Sequence, residues 1–172
     1  MRALIFSRFF PCRSFDRRLD DRLAPSLAPA GFANTLTLGI GGNIGDCKKR
    51  FEHLWRWLQS NKNISSLRSS PIYRNPAFGY THQDDFYNAT ITLATRFSIV
   101  QLFGLIFYLE RRFGRPKKRE FKNSPRTLDI DIIFFNDLIL KRPYLKIPHP
   151  NWSQRESVLI PLFLTYLTQK GQ

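Results

Sequence analysis

The chain has little cysteine, little acid and no long apolar run. Cys12 and Cys47 are its only cysteines. They make no disulfide framework and do not stand at zinc-ligand spacing. Two free thiols suit a reducing compartment, so a cytoplasmic location is expected. No run of ~18 apolar residues occurs, which removes a helical membrane span from consideration, and no membrane partner is expected. A Walker-type phosphate loop is excluded, because no Gly-Lys-Ser/Thr follows the glycines of Gly41-Gly42-Asn43. Acids number 13 against 27 Lys+Arg, a net charge of +14.

That charge is uneven. Residues 1–34 carry a net +3, which leaves +11 for the remainder, and eight basic residues with a single acid, Glu120, lie between Arg111 and Arg126. A local excess of this kind requires a polyanion, and nucleic acid, an acidic surface and a nucleotide all satisfy it. The 172 residues suffice for one domain with a real core. Residues 1–34 show no sustained period and read as a weakly ordered basic extension, with a short helix near Phe15 to Leu23. Ala3 to Phe6 is too short for a signal sequence, and Asp16, Asp20 and Asp21 argue against a transit peptide. Residues 35–172 form the domain.

From Thr35 the pattern is regular. Leu36, Leu38 and Ile40 alternate with Thr37 and Gly39, predicting a strand that runs into a turn at 41–46. Phe51, Leu54, Trp55 and Leu58 predict a helix by their spacing. A weaker strand pattern covers Ser65 to Tyr73. Phe86 to Thr95 alternates again, with Ala89, Ile91 and Leu93 on one face and Phe86 and Asn88 on the other. Ser98 and Gln101 make a capping box for a helix carrying Leu102, Phe103, Ile106 and Leu109, with Gly114 suited to its end. A basic loop over 115–125 leads into a strand from Pro125 to Phe135. A hairpin around Asn136-Asp137, an edge segment ending at Ile147-Pro148 and a helix near Arg155 to Leu167 complete the order. The β-α-β-β-α-β succession implies an α+β fold, the ferredoxin-like split βαβ sandwich, with an antiparallel sheet, packed helices, an extra hairpin and a C-terminal helix.

The chemistry concentrates at Pro-Arg-Thr-Leu-Asp-Ile-Asp-Ile-Ile-Phe-Phe, residues 125–135. Period-2 alternation puts Asp129 and Asp131 on one face with Thr127 beside them. Their Cα atoms should be roughly 6.5–7 Å apart. Like charges so close in an apolar segment need a cation, and oxygen donors favour magnesium over zinc. Arg126 and the basic loop can supply the rest of the compensation, either as a phosphate clamp or as a solvated charged loop. Phe86 and Asn88 can stack on and hydrogen-bond to a planar heterocycle, or fill a core and a bulge. His149, fixed between Pro148 and Pro150, reads as an exposed loop residue that becomes a phosphate contact in company with Arg155.

Five segments carry a resemblance: Gly41-Gly42-Asn43-Ile44-Gly45-Asp46, Tyr73-Arg74-Asn75-Pro76, Gln83-Asp84-Asp85-Phe86-Tyr87-Asn88-Ala89, Pro125-Arg126-Thr127-Leu128-Asp129-Ile130-Asp131, and Ile147-Pro148-His149-Pro150 with Arg155 to Leu162. In this order they resemble the 6-hydroxymethyl-7,8-dihydropterin pyrophosphokinases of folate synthesis, over about residues 35–165. The resemblance implies transfer of the terminal diphosphate of ATP to the pterin hydroxymethyl group with two magnesium ions. It implies Asp129 and Asp131 as metal ligands, and Arg115 and Arg126 as catalytic clamps of the triphosphate. Glu110, Arg115, Arg126, Ile132, His149 and Arg155 would meet ATP. Asn75, Pro76, Phe78, Phe86 and Asn88 would form the pterin pocket. ATP and the pterin are then the partners, without nucleic acid, and the chain is expected to be a monomer. Against the family pattern, Gly42 replaces a serine, Asn123 stands where many members have a tryptophan, the basic loop is about one residue longer, Tyr144 replaces a basic residue, and the C-terminal segment is short. Two other readings follow from charge and carboxylates alone: a basic nucleic-acid-binding module of the same fold, and a magnesium nucleotidyltransferase.

Overall fold

The computed structural model describes residues 4–5, 29–116, 121 and 123–170, with side chains from 29 through 165 of these. The expected helix at Phe15 to Leu23, and part of the basic loop, lie outside the described residues.

The fold is α+β, built on an antiparallel sheet. Its strands are β1 (Leu4–Ile5), β2 (Asn34–Gly42), β3 (Ile64–Ser69), β4 (Ile72–Asn75), β5 (Phe86–Thr95) and β6 (Asp129–Phe135), and the path across the sheet is β1-β4-β5-β2-β6, with β3 also on β5. Helices α1 (Cys47–Ser60) and α2 (Ile99–Arg112) follow β2 and β5, and α3 (Glu156–Lys170) ends the described chain. Two short strands, β7 (Leu140–Lys141) and β8 (Lys146–Ile147), pair with each other.

Local chemistry explains the helices. The Asp46 carboxylate accepts from the Lys49 N–H at 2.9 Å and starts α1. Ser98 and Gln101 close the capping box of α2 as expected. Gly114 follows α2 at φ +91°, a conformation that side chains with a Cβ disfavour. Phe51, Leu54, Trp55 and Leu58 of α1 and Leu102, Ile106 and Leu109 of α2 share one core with Leu36, Leu38 and Ile40 of β2 and Ala89, Ile91 and Leu93 of β5.

The second sheet face is also closed. Thr37, Thr90 and Ile133 are buried there, and α3 packs against β4 and β5. Burial on both faces explains why β2 is not a simple alternation of inside and outside residues.

Two expectations are refined. The Ser65–Tyr73 strand is two strands, interrupted at Ser70-Pro71, because proline brings no N–H to the ladder. The hairpin is not at Asn136-Asp137. Those residues form a tight turn, with Asn136 at φ +47° and the Leu138 N–H donating to the Phe135 carbonyl at 3.0 Å. The strand pairing comes later, between β7 and β8.

Candidate active site

Register builds the site. Gly41 pairs with Asn88 and with Asp129, Gly39 pairs with Asp131, and Asn75 pairs with Phe86. Directly paired residues share a face. One end of the second sheet face therefore carries Asn75, Phe86, Asn88, Asp129 and Asp131, drawn from β4, β5 and β6. A Cβ at Gly41 would lie 2.8 Å from Asn88 Oδ1, so glycine lets the amide lie across the floor. Asn88 Nδ2 donates to Asn75 Oδ1 at 2.7 Å, and Asn75 Nδ2 donates to the Pro76 carbonyl at 2.7 Å. The two amides thereby fix each other's orientation.

The acids sit among cations. Asp129 Oδ1 accepts from Arg115 Nη1 at 2.7 Å, and Oδ2 accepts from Arg126 Nη1 at 2.5 Å. Arg115 also donates to Glu110 Oε1, an oxygen that accepts the main-chain N–H of Ile130 at 2.9 Å. Asp131 Oδ2 lies 3.9 Å from His149 Nε2. Desolvation raises the Asp131 carboxyl above its ordinary range and Asp129 beside it adds to the rise, while His149, Arg155 and Arg126 oppose it. Desolvation pushes the buried Glu110 up to about 7, against the Ile130 N–H and Arg115.

The two halves of the site touch. The Arg126 guanidinium carbon is 5.8 Å from the centroid of the Phe86 ring, a cation–π contact linking the aromatic floor to the acid pair. His149 is not the exposed residue expected of a proline-flanked loop. Its main-chain N–H donates to the Ile133 carbonyl at 3.0 Å, which draws it half-buried onto β6, with Nδ1 buried and unpartnered. Arg155 is exposed and reaches Asp131 electrostatically.

Other expected residues stand further off. Phe78 is 87% exposed and Pro76 is exposed, so both form a rim rather than a floor. The Ile132 side chain is in the hydrophobic core, opposite Leu38, which leaves only its main chain to meet a ligand. Glu110 lies beneath Arg115 rather than at a surface.

Sequence reasoning assigned no role to Asn43 and Gln83. Asn43 is 5% exposed. Its Oδ1 accepts from the Arg126 N–H at 2.9 Å, and its Nδ2 donates to Gln83 Oε1 at 2.9 Å and to the Asp84 carbonyl at 3.1 Å. Gln83 Nε2 donates in turn to the carbonyls of Tyr80 and Asn123, at 2.6 and 3.0 Å. The first turn, the 76–85 loop and the end of the basic loop are thus tied at one point. The Asn43 and Ile44 N–H groups both donate to the Arg126 carbonyl, and Arg50 Nη1 donates to the Thr127 carbonyl at 3.1 Å. A Cβ at Gly42 would stand 2.5 Å from that same carbonyl, which accounts for glycine there. Tyr80 and Phe121 meet edge to face, with centroids 5.0 Å apart, and bridge the same two loops. A polar residue after a glycine turn and a glutamine three residues before Phe86 are the only sequence signals of this network.

The arrangement offers paired oxygen donors for a hard cation, guanidinium and imidazole groups for phosphate, and an aromatic-amide floor for a flat ring. Among the described residues, no group of three or more His, Cys, Asp or Glu side chains is placed to hold a metal ion by itself, and no helix is long and apolar enough to cross a membrane.

Comparison with known proteins points the same way. A family model described as 7,8-dihydro-6-hydroxymethylpterin-pyrophosphokinase (HPPK) matches residues 37–165. A Helicobacter pylori protein named 2-amino-4-hydroxy-6-hydroxymethyldihydropteridine pyrophosphokinase is 48% identical over 173 residues, covering 100% of this chain and 99% of the relative. A Campylobacter jejuni protein of the same name is 36% identical over 156 residues, 91% of this chain and 90% of its own. Folic acid synthesis protein FOL1 of Dictyostelium discoideum is 36% identical over 129 residues, 75% of this chain and 19% of that longer protein.

Proposed function

The chain belongs to the 7,8-dihydro-6-hydroxymethylpterin-pyrophosphokinase family, and from that premise we propose that it transfers diphosphate from ATP to 6-hydroxymethyl-7,8-dihydropterin in a magnesium-dependent step of folate biosynthesis. The hydroxymethyl oxygen bonds to the β-phosphorus of ATP, the bond from that phosphorus to the α-bridging oxygen breaks, the hydroxyl proton is released, and AMP leaves. The observation that carries this reading is the convergence of Phe86, Asn88 and Asn75 with Asp129, Asp131 and two arginines on one end of one sheet face.

The donor set fits magnesium. Asp129 and Asp131 are carboxylates on one strand face, and magnesium is held by one or two such groups with phosphate oxygens and water completing its shell. When bound, the ions supply Lewis-acid polarisation of the phosphoryl oxygens. The protein's own groups do the rest. Arg115 and Arg126 neutralise charge on the triphosphate, an effect that grows as charge develops during transfer. His149 and Arg155 hold its remaining oxygens. Glu110 orients Arg115, and the main chain of Ile132 meets the nucleotide from the edge of the sheet. Phe86 stacks on the pterin, Asn88 and Asn75 read its amide edge, and Pro76 and Phe78 form its rim. The Asn43–Gln83 network keeps the two substrate loops in register.

The antiparallel strand order, with a helix after β2 and another after β5, supports the ferredoxin-like assignment. We further propose that residues 35–172 act as a monomeric cytoplasmic catalytic domain and that 1–34 form an extension to it.

Product analysis tests the reaction. Incubated with ATP, magnesium and the reduced pterin, the protein should release AMP in equal amount to pterin diphosphate, and chelation by EDTA should stop it. Release of ADP or of free pyrophosphate in place of AMP would exclude diphosphate transfer.

A further inference from the structure

The chain supplies its own cations to Asp129. Both carboxylate oxygens accept guanidinium N–H groups, at 2.7 Å from Arg115 and 2.5 Å from Arg126. The two arginine side chains are only 12% and 14% exposed, so water screens these pairs weakly. Arg115 is anchored a second time by Glu110, which the Ile130 N–H holds in place. Asp131, two residues on, has only His149 among the described cationic groups within 4 Å. The two acids are therefore unequal: one has both oxygens engaged, the other is nearly open.

Resting on the function proposed above, we propose that Arg115 and Arg126 are internal counter-ions that compete with a divalent cation for Asp129, so that the acid pair takes the cation tightly only together with a polyphosphate. The physical basis is exchange of like for like. Guanidinium bonds to carboxylate and to phosphate are comparable in geometry and strength. An arginine that passes from Asp129 to a phosphate oxygen keeps its charge-assisted hydrogen bonds. A cation arriving alone offers the arginines no new acceptor, and it meets two positive groups already on the carboxylate. Metal and nucleotide affinity are then coupled, and by linkage each raises the other equally. Glu110 keeps Arg115 close to Asp129 throughout, so this exchange needs side-chain rotation alone.

The test counts bound Mn²⁺ by the loss of its free-ion electron paramagnetic resonance signal, on the full chain at fixed ionic strength. Wild-type protein should bind Mn²⁺ alone weakly. Arg126→Met should bind Mn²⁺ alone on the order of tenfold more tightly, the scale on which removing a neighbouring charge moves a carboxylate equilibrium. The same variant should retain Mn²⁺ less well when an α,β-methylene ATP analogue is present. This reversal of sign is something a merely structural role does not produce. Because loss of Arg126 can disturb its loop, Arg115→Met combined with Glu110→Gln, which leaves no uncompensated buried carboxylate, is measured in parallel. Unchanged or weaker binding of Mn²⁺ alone in both folded variants overturns the proposal. Absence of AMP formation overturns the functional reading instead, since the Mn²⁺ comparison needs no turnover.

Discussion

Replacing Asn43 with alanine removes three hydrogen bonds at a residue only 5% exposed: from the Arg126 N–H, to Gln83 Oε1 and to the Asp84 carbonyl. A hydrogen bond contributes about 1 kcal/mol net, and a buried partner left unsatisfied costs about 1–3 kcal/mol. Gln83 and Asp84 are near enough to the surface to recover water, whereas the Arg126 N–H is walled in by the first turn. The expected loss is therefore about 3 kcal/mol, a large fraction of the ~5–15 kcal/mol that holds a domain folded. Urea unfolding, followed by circular dichroism, should show the midpoint fall with the slope unchanged. Gln83→Ala should cost less, about 1–2 kcal/mol, because its partners are partly wet. The double variant should lose less than the sum, by about 1 kcal/mol, since the two side chains share a bond. A loss below about 1 kcal/mol for Asn43→Ala, or strict additivity with Gln83→Ala, would refute the idea that this asparagine ties the loops together.

Three further outcomes follow from the geometry. Arg126→Ala should lower kcat by on the order of 10²-fold while weakening ATP binding much less, because its contact strengthens as charge develops; steady-state kinetics beside equilibrium titration separate the two. Glu110, pushed by burial up to about 7 from the ordinary 4.5, holds a proton in the folded state that the unfolded chain releases earlier. Its stabilising contribution is full below 4.5 and is lost as pH rises through 7, at no more than about 1.4 kcal/mol per pH unit. Glu110→Gln should lack that slope, so the gap in stability between the two proteins should change across this range, and parallel curves from pH 4.5 to 7 would count against it. Gly79→Ala should destabilise by about 1–2 kcal/mol, since Gly79 has φ +84° and a Cβ there would stand 2.5 Å from Asn123 Nδ2; an unchanged thermal midpoint would contradict this.

The site was legible wherever local period decides. Two-residue alternation places Asp129 with Asp131, and Phe86 with Asn88, on common faces before any pairing is known. The capping box of Ser98 and Gln101 and the turn at Gly114 are equally local. What escaped depends on partners far away in the chain. Asn43 meets Gln83 forty positions on, and His149 is drawn onto β6 by a main-chain bond to Ile133. The division of the Ser65–Tyr73 segment was obscured because Ser66, at φ +50°, breaks the alternation that the pattern needs. The misplaced hairpin has a similar cause: Asn136-Asp137 has the composition of a hairpin turn, but Asn136 turns back onto β2, where its side chain accepts from the Thr35 N–H at 2.7 Å.

β6 lies at the end of the sheet path, and its outer margin is where a foreign chain would add itself. Two of the groups that would invite such a guest are already taken, the Ile130 N–H by the Glu110 carboxylate and the Ile133 carbonyl by the His149 main chain. Glu110 and the backbone at His149, whose side chains are proposed above to serve the nucleotide, thereby also guard this edge against clumping, so a change that frees either of the two covered groups can lower the yield of usable protein before it lowers the rate of any reaction.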